Sequence, residues 1–426
     1  APPEPLIPRP RRREAMERVN TSGDIEIPLD EDAVRDAIIA LRDAGVEGLV
    51  VLFMHSHRNG AHENRVRELV AESGWAPFVS LSHEVLRREG EYDRVSTAAV
   101  NAYVGPGLGG YLNRLAANLA ENGLAAPVLV MQSTGGVLPL DHAVQHAVGS
   151  VTSGPAGGAM AGALFARLRD EPHLVTYDMG GTSTDICLIE DGAPLERQAT
   201  QLGEVKIAVP ALDISALGAG GGSIAWIDSG GILDLGPHSA GAAPGPACYG
   251  QGGESPTLTD ANLVLGLIAA ETFLGGRLSL DRDLAAVAVE THVAKPLGLS
   301  VEDAAFAINA LASARIAEGI RANTVRRGLD PREFTIFSFG GAGGLHAAAV
   351  AEELEIPRAV IPREASVLSA VGFLAADVRH DYQRVVGHRL PELTTALLRE
   401  RYAELDAEAI KALGAEGFAP DAVRFT

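Results

Sequence analysis

The chain has 426 residues, of which 35 are basic and 55 acidic, and its formal net charge is −20 at pH 7. At roughly 150 residues per domain, this length indicates two or three domains. The acidic balance argues against a nucleic-acid binder and against docking on anionic membranes, because both need positive patches. No apolar run approaches the roughly 18 residues that span a bilayer. Two cysteines are too few for a disulfide framework, so we expect a cytoplasmic protein.

The first half of the chain alternates helix and strand patterns. Its predicted elements are, in order, a helix over residues 30–44, a buried strand over 48–54, a helix over 62–73, a short strand over 78–80, helices through much of 94–122 and a strand over 128–131. This alternation predicts an α/β layer. Ser153 then opens a helix of small residues, which would allow another backbone to come close.

The second half continues the α/β pattern around glycine-rich segments. The predicted elements are strands over residues 173–178 and 184–189, an irregular region over 218–253, helices over 259–269, 284–294 and 301–326, a strand over 334–339 and a helix from about residue 345. The two strands at 173–189 are joined by a tight glycine turn.

The strongest functional signal is the segment Tyr-Asp-Met-Gly-Gly-Thr-Ser-Thr-Asp at residues 177–185. Glycines allow successive backbone N–H groups to point at a phosphate. Asp178 could hold Mg²⁺ or orient a nucleophile, as carboxylates do in phosphoryl transfer. An ordinary β-hairpin is the alternative, although its turn would need only one or two glycines.

A second signal is the run Phe-Gly-Gly-Ala-Gly-Gly-Leu-His at residues 339–346, where a strand passes into a helix. A helix N-terminus approached by bare glycines suits a nucleotide, whereas close helix–strand packing is the alternative. Together the two segments favour a nucleotide held between them. A P-loop is excluded, because Lys206, Lys295 and Lys411 are the only lysines and none is followed by Ser or Thr.

These two segments resemble the ATPase superfamily that contains sugar kinases, Hsp70 and actin. The resemblance implies an α/β, two-lobe, actin-like (ribonuclease-H-like) fold in which one hairpin holds the β- and γ-phosphates and a second glycine turn holds the adenosine. Two small-residue helices connect the lobes in that superfamily, and residues 153–164 and 366–372 match them.

Within the superfamily the chain is similar to the hydantoinase A/5-oxoprolinase family over about residues 29–381. The strings that carry this similarity are His-Glu at 62–63, Ser-His-Glu-Val at 82–85, Asn-Ala-Tyr-Val-Gly-Pro at 101–106, Gln-Ser-Thr-Gly-Gly at 132–136, Ser-Gly-Pro-Ala-Gly-Gly at 153–158, the hairpin at 178–185, the glycine run at 218–223, Gly-Pro-Ala-Cys-Tyr-Gly at 245–250 and Thr-Asp-Ala-Asn at 259–262. The family implies an ATP-dependent enzyme that opens a cyclic amide, such as a hydantoin or 5-oxoproline, after phosphorylation of the amide oxygen.

The resemblance also implies site residues and partners. We expect Asp178, Asp185 and Asp260 to be catalytic and Asp178 to hold Mg²⁺ or Mn²⁺. We expect ATP contacts from three glycine-rich segments, through Gly180, Gly181, Thr182, Ser183, Thr184, Gly220, Gly221, Gly222, Gly340, Gly341, Gly343 and Gly344. A second subunit of the hydantoinase B type and an oligomeric assembly are expected, with no nucleic acid and no membrane.

Several of these residues keep an alternative role. Asp260 is placed to cap the helix that follows it, and the glycines at 218–223 could form a structural turn. Cys248 has no identified base, so packing is the alternative to a substrate-loop role. His55 and His57 share one face of an extended segment near His62, and metal binding competes with simple solvation there.

Departures from the family pattern set further expectations. The family begins with another phosphate hairpin upstream of residue 1 and continues beyond residue 426, so we expect a chain truncated at both ends, with an incomplete first lobe and doubtful activity in isolation. The expected regions are 1–168, the remainder of the first lobe; 169–385, the second lobe; and 386–426, the start of a C-terminal region. The alternatives are the ATP-using subunit of an acetone-type carboxylase and a non-catalytic, actin-like nucleotide switch.

Overall fold

The computed structural model describes residues 5–124, 126–386, 388 and 390–425. It divides into two compact units, and both are discontinuous in sequence. The first unit combines residues 1–153, 197–211 and 377–426, and the second combines 154–196 and 212–376. These boundaries follow contacts in space, so they differ from the contiguous regions 1–168, 169–385 and 386–426 expected from the sequence.

The helices of the described residues are numbered here in chain order. They are α1 (Glu31–Asp43), α2 (Ala61–Glu72), α3 (Ser82–Val85), α4 (Glu91–Glu121), α5 (Leu140–Gln145), α6 (Ser153–Arg169), α7 (Leu258–Val264), α8 (Arg282–Val289), α9 (Lys295–Leu297), α10 (Val301–Val325), α11 (Ala347–Leu354), α12 (Leu368–Ala375) and α13 (Thr395–Ala415). A π-helical turn, Glu290–Ala294, connects α8 to α9.

The strands are short and are numbered in the same way. They are β1 (Arg18–Val19), β2 (Ile25–Ile27), β3 (Gly48–Val51), β4 (Phe78–Leu81), β5 (Leu129–Met131), β6 (Val137–Pro139), β7 (Leu174–Met179), β8 (Thr184–Glu190), β9 (Ala193–Pro194), β10 (Glu196–Arg197), β11 (Thr200–Leu202), β12 (Val205–Ile207), β13 (Ala211–Leu212), β14 (Ile214–Leu217), β15 (Ser223–Ile227), β16 (Leu233–Ser239), β17 (Thr335–Phe339) and β18 (Ala359–Val360).

The first unit has a core built on the parallel pair β3–β4. Helix α1 begins where the Asp30 side chain accepts a hydrogen bond from the Ala33 N–H, as an N-cap residue does. Its apolar stripe packs with α2 and the strands through Ile38, Leu69 and Leu81, all buried. The helices predicted over residues 30–44 and 62–73 are therefore confirmed.

Helix α4 is one continuous helix of 31 residues, although Pro106 lies inside it. The sequence predicted more than one helix over this stretch. Glycines bring α4 close to the strands: a Cβ at Gly48 would overlap the Ala102 carbonyl oxygen, and one at Gly105 would overlap the Phe78 ring. The chain returns to this unit near its end, where the Val137 N–H donates to the Asp377 carbonyl (2.9 Å).

The second unit is organised around a sheet with the strand order β14-β8-β7-β17-β18. Strand β17 runs parallel to β7 and β18, whereas β8 runs antiparallel to β7 and β14. The hairpin β7–β8 and the strand β17 confirm the strands predicted at 173–189 and 334–339. Helix α10 covers the sheet through fully buried residues such as Ile308, Ile316 and Ile320.

The small residues of α6 allow a close approach of α12 within the second unit. A Cβ at Gly372 would overlap the Gly157 carbonyl, and one at Gly157 would overlap the Phe373 ring. This contact confirms that the Ser153 helix admits another backbone. It extends to Arg169, beyond its predicted end.

The region 218–253 was wrongly predicted to be irregular. It contains an antiparallel hairpin of β15 and β16. Asp228 closes the turn by accepting hydrogen bonds from the Gly230 and Ile232 N–H groups (both 2.8 Å). The alternation in β16 is interrupted by Gly236 and Pro237, residues that normally weaken a strand prediction. Among the described residues, no helix combines the length and the hydropathy needed to cross a membrane.

Candidate functional site

The candidate site lies at one edge of the second unit's sheet, where the ends of β7 and β17 meet. Asp178 is the register partner of Asp185 on β8 and of Phe339 on β17. Leu217, the last residue of β14, pairs with Thr184. Three segments therefore leave the sheet side by side. They are the hairpin turn at 180–183, the glycine segment at 218–222 and the glycine segment at 340–344.

Backbone hydrogen bonds join these three segments. The Gly221 N–H donates to the Gly180 carbonyl (2.9 Å) and the Gly222 N–H to the Gly181 carbonyl (2.7 Å). The Ala342 N–H donates to the carbonyl of Met179 (3.0 Å). The turn that carries the acidic and hydroxyl residues is thus held between the two glycine segments.

Part of this surface is bare backbone that faces open space. Gly180, Gly181, Thr182 and Gly341 are exposed. A Cβ at any of these three glycines would meet no other atom within 4 Å. Gly340 is different: its φ of +83° disfavours other residues, and a Cβ there would overlap the Asp178 carboxylate. Gly180, Gly181 and Gly341 therefore form an accessible surface, and Gly340 allows its backbone to lie close to Asp178.

Asp178 and Asp185 are half-buried neighbours of the same charge. Burial raises the pKa of Asp178. Burial, followed by repulsion from Asp178, raises the pKa of Asp185 to about 6. No cation or hydrogen-bond donor of the described residues lowers either pKa, so the pair is electrostatically unsatisfied. An added positive charge would stabilise both carboxylates.

Other residues predicted to contact ATP are buried or half-buried beneath the hairpin turn and the two glycine segments. Thr184 is fully buried, and its hydroxyl donates to the Ala219 carbonyl (2.5 Å). Gly220 and Gly222 are buried, and a Cβ at Gly220 would overlap the backbone of the hairpin turn. Gly343 is also buried and accepts a hydrogen bond from the Tyr177 hydroxyl (2.9 Å). Gly344 is half-buried beside Ile361, and Ser183 is half-buried in the turn.

The geometry of Asp260 favours the capping alternative. Asp260 is fully buried, and its carboxylate accepts hydrogen bonds from the Thr257 N–H and hydroxyl and from the Ala247 and Cys248 N–H groups. With Thr257 it forms a reciprocal capping box at the start of α7. Cys248 is also fully buried, and burial followed by the nearby Asp260 charge raises its pKa, which suits a packed thiol.

The histidines near β3 separate into two groups in the first unit. Ligand atoms of His55, His57 and Glu91 lie within 4.8 Å of one another. His57 is buried, and neither of its ring nitrogens has a hydrogen-bond partner. His62 is not part of this group, since its Nδ1 donates to Glu17 (2.8 Å).

The sequence reasoning assigned no role to a buried polar network in the first unit. Glu63 is fully buried and accepts hydrogen bonds from the Phe53 N–H (3.0 Å), the Ser82 hydroxyl (2.7 Å) and the His83 ring (2.7 Å). Arg94, also fully buried, donates to Ser82 (2.9 Å) and to the Phe53 carbonyl (3.0 Å). The signal was present in the strings His-Glu at 62–63 and Ser-His-Glu-Val at 82–85, which were noted only as parts of the resemblance.

Comparison with known proteins places the chain among ATP-dependent enzymes. It is 39% identical to caprolactamase subunit alpha of Pseudomonas jessenii over 98% of this chain and 60% of the relative. The crystal structure of that ATP-dependent caprolactamase superposes with a TM-score of 0.84 at 38% identity, covering 98% of this chain and 61% of the other.

Two further proteins extend the comparison. The nucleotide-free structure of acetone carboxylase, an enzyme of ATP-dependent acetone carboxylation, gives a TM-score of 0.80 at 30% identity over 97% of this chain and 59% of the other. The 5-oxoprolinase of Saccharomyces cerevisiae is 35% identical over 91% of this chain and 31% of the relative. The chain therefore spans about three fifths of the caprolactamase subunit and less of the oxoprolinase.

Two family matches cover most of the chain. Residues 94–382 match the Hydantoinase/oxoprolinase family, and residues 3–74 match the Hydantoinase/oxoprolinase N-terminal region. The chain belongs to the hydantoinase/oxoprolinase family of ATP-dependent enzymes.

Proposed function

We propose that the second unit is an actin-like ATPase lobe that binds the triphosphate of ATP on the hairpin turn at 180–183. The observation that carries this proposal is the meeting of three glycine segments beside two unsatisfied carboxylates at one sheet edge. The N–H groups of Gly181 and Thr182 would donate to phosphate oxygens, whereas the Gly180 N–H donates to the Ser183 carbonyl (3.1 Å) and holds the turn in shape. Ser183 would add a hydroxyl, and the open face at Gly341 would admit the nucleoside.

Asp178 and Asp185 fit a hard divalent cation. Carboxylate oxygens are the ligands that Mg²⁺ prefers, and Mg²⁺ is commonly held by one or two carboxylates together with substrate phosphates. The mutual repulsion of the two carboxylates would be relieved by a positive charge between them and the phosphates. Bound Mg²⁺ or Mn²⁺ would neutralise charge that develops on the transferring phosphoryl group.

We propose that the reaction is the ATP-dependent opening of a cyclic amide. An amide carbonyl is a weak electrophile, and transfer of the γ-phosphoryl group from ATP to its oxygen, with release of ADP, would make the carbon more electrophilic. Water would then add to that carbon, the C–N bond would break with the ring nitrogen leaving as an amine, and hydrolysis of the resulting acyl phosphate would release the carboxylate and phosphate. The family membership supports this proposal, because it includes relatives named caprolactamase and 5-oxoprolinase. In this scheme Asp178 orients the phosphoryl acceptor or the cation, and Asp185 supports it from the adjacent strand.

A partner subunit is part of the proposal. The relatives include proteins named as the alpha subunit of caprolactamase and the beta subunit of acetone carboxylase. We propose that this chain acts with a second subunit of the hydantoinase B type, and that the whole protein rather than this chain alone turns over substrate.

Acetone-type carboxylation is a second candidate, favoured by the likeness to the acetone carboxylase structure. The two reactions share the use of ATP and differ in the acceptor: a ketone in one, a lactam oxygen in the other. Hydrolysis of the amide consumes water, whereas carboxylation consumes bicarbonate.

The test is an assay of the full-length protein with its partner subunit. ATP turnover is measured with 5-oxoproline, hydantoin, caprolactam, or acetone plus bicarbonate. We expect turnover that depends on a lactam and is lost in D178N. Turnover with acetone plus bicarbonate alone would replace the first candidate by the second. Tight nucleotide binding without substrate-dependent turnover would support a nucleotide switch and overturn both.

A further inference from the structure

The first unit contains a second group of potential metal ligands, formed by His142, His380 and Glu416. His142 lies on α5, His380 follows the return of the chain to this unit, and Glu416 caps the end of α13. Their ligand atoms lie within 4.8 Å of one another. Three segments that are distant in sequence thus converge on one point.

The distances suit a shared ion. Oε1 of Glu416 lies 3.1 Å from Nδ1 of His142 and 2.9 Å from Nε2 of His380. Ligands about 2.0–2.1 Å from a tetrahedral zinc ion are separated by about 3.3 Å. The two distances to Glu416 are close to this separation, and the ligand atoms of all three side chains lie within 4.8 Å of one another.

One oxygen of this group is buried and unsatisfied. Glu416 Oε1 has no hydrogen-bond partner, although the two ring nitrogens are near it. Nε2 of His380 is hydrogen-bonded to the other oxygen, Oε2 (3.1 Å). The side chains of His380 and Glu416 are 12% and 10% exposed, so water does not freely satisfy them. The two ring nitrogens contact this oxygen without hydrogen-bond geometry, and a buried carboxylate oxygen in that state gains from a bound cation.

A neighbouring aromatic ring and open solvent border the group of His142, His380 and Glu416. Tyr382 stacks on the His380 ring at a centroid distance of 6.1 Å and fixes its plane. His142 is 41% exposed, which leaves a path for an ion and for a water ligand.

We propose that His142, His380 and Glu416 bind a divalent transition-metal ion of the zinc class and attach the end of α13 to the first unit. Two imidazoles and one carboxylate match the ligand preference of zinc and disfavour Mg²⁺ or Ca²⁺, which take oxygen. Helix α13 needs such an anchor, since Ala409 is its only buried residue. Its ion pairs, for example Arg384 with Glu408 (3.0 Å), are partly exposed and add little.

The experiment measures Zn²⁺ uptake by the metal-stripped chain in the presence of excess Mg²⁺, which occupies sites made of oxygen alone. We expect one Zn²⁺ per chain, a higher melting temperature with Zn²⁺, and ligand-field absorption bands when Co²⁺ replaces it. The variants E416Q and H380A should weaken Zn²⁺ binding by at least about 100-fold, because mutation of a residue that only orients a metal ligand already costs about 10–100-fold. H142A tests the same site at an exposed residue, where misfolding is not a concern.

Two controls separate this site from others. H292A removes an exposed histidine of the second unit and should leave Zn²⁺ uptake unchanged. H55A disables the other histidine group: loss of Zn²⁺ in H55A with retention in H142A and H380A would overturn the proposal. Absence of Zn²⁺ uptake by the wild-type chain would also overturn the proposal. The group would then consist only of ion pairs from His142 and His380 to Glu416. Neither result bears on ATP turnover.

Discussion

Carboxylates in the two units have pKa values that are shifted in opposite directions. In the first unit, burial alone would raise the pKa of Glu63, but hydrogen bonds from His83, Ser56 and Ser82 lower it. In the second unit, Asp178 and Asp185 are less buried than Glu63, yet the pKa of each is raised. The Glu63 carboxylate accepts hydrogen bonds on both oxygens, whereas Asp178 and Asp185 are neighbours that repel each other.

The number of hydrogen bonds that a buried carboxylate accepts distinguishes a structural role from a ligand-binding role. A saturated buried carboxylate stabilises its surroundings and has no capacity left for a ligand, and Asp260 belongs to this class with Glu63. A pair of carboxylates without hydrogen-bond donors, such as Asp178 and Asp185, destabilises the ligand-free protein. Such a pair is expected where a bound ligand stabilises it. The following variants test whether this division holds.

The largest effect is expected at Asp178. D178N removes a charge that would hold the cation while also removing repulsion with Asp185. We expect ATP turnover by the full-length protein with its partner to fall by at least about 1,000-fold, with no loss of thermal stability. The matched control is D191N at the far end of β8, an exposed position with φ of 50° that Asn tolerates. A D178N protein that retains activity would remove the basis of the comparison.

Next is Glu63. E63A leaves the donors of Phe53, Ser82 and His83 without their acceptor, so the free energy of unfolding should drop by about 3–5 kcal/mol. Urea denaturation monitored by circular dichroism measures the change. E68A, on the exposed side of the same helix α2, should cost about 0.5 kcal/mol or less. Equal losses in the two variants would show that Glu63 is not a structural centre.

The two adjacent glycines of the segment 340–344 should differ. G340A places a Cβ against the Asp178 carboxylate and the Met179 carbonyl at a positive φ, so we expect a loss of about 2–4 kcal/mol. G341A meets open space and should change the free energy of unfolding by about 0.5 kcal/mol or less. Nucleotide affinity measured on G341A by calorimetry then reports on ligand contact rather than on folding.

The smallest effect is a gain of stability. Because the pKa of Asp185 is raised to about 6, its charged form is disfavoured in the folded chain at pH 7.5. D185N should then stabilise the ligand-free protein by roughly 1–2 kcal/mol, a value reduced for partial exposure to solvent. A raised carboxylate pKa means that the folded wild type takes up a proton between pH 6 and about 4. The destabilising contribution of Asp185 should therefore decrease on acidification, so the difference in stability between the wild type and D185N should vanish near pH 4 in melting experiments.

Local patterns in the sequence were sufficient for several elements of the fold. Helix α1 and the hairpin β7–β8 each depend on residues near in sequence, and each was predicted. The small residues of α6 also predicted a close approach of another backbone, although they did not identify α12 as the partner. The hairpin β15–β16 was missed because Gly236 and Pro237 interrupt its alternation. Its strand pairing depends on the register between two segments, which propensity does not encode.

The sequence predicted that glycine segments lie near Asp178 but not which of their residues are exposed. Glycine composition points to loops around Asp178, yet it does not distinguish exposed Gly181 from buried Gly220, since both lack a side chain. That distinction comes from packing among three segments far apart in the chain. For the same reason the group of His142, His380 and Glu416 left no sequence signal: no spacing rule joins residues on such distant segments.

The discontinuity of the first unit has a consequence for biosynthesis. The Val137 partner on residues 377–379 and the segment carrying α13 are translated only after the entire second unit. During translation, all strands of the sheet around Asp178 are synthesised before residues 377–426, which the first unit needs for its contacts. A nascent chain stalled at residue 376 would lack the strand partner of Val137 and the segment that carries α13, so it would expose the surfaces of the first unit that these segments cover.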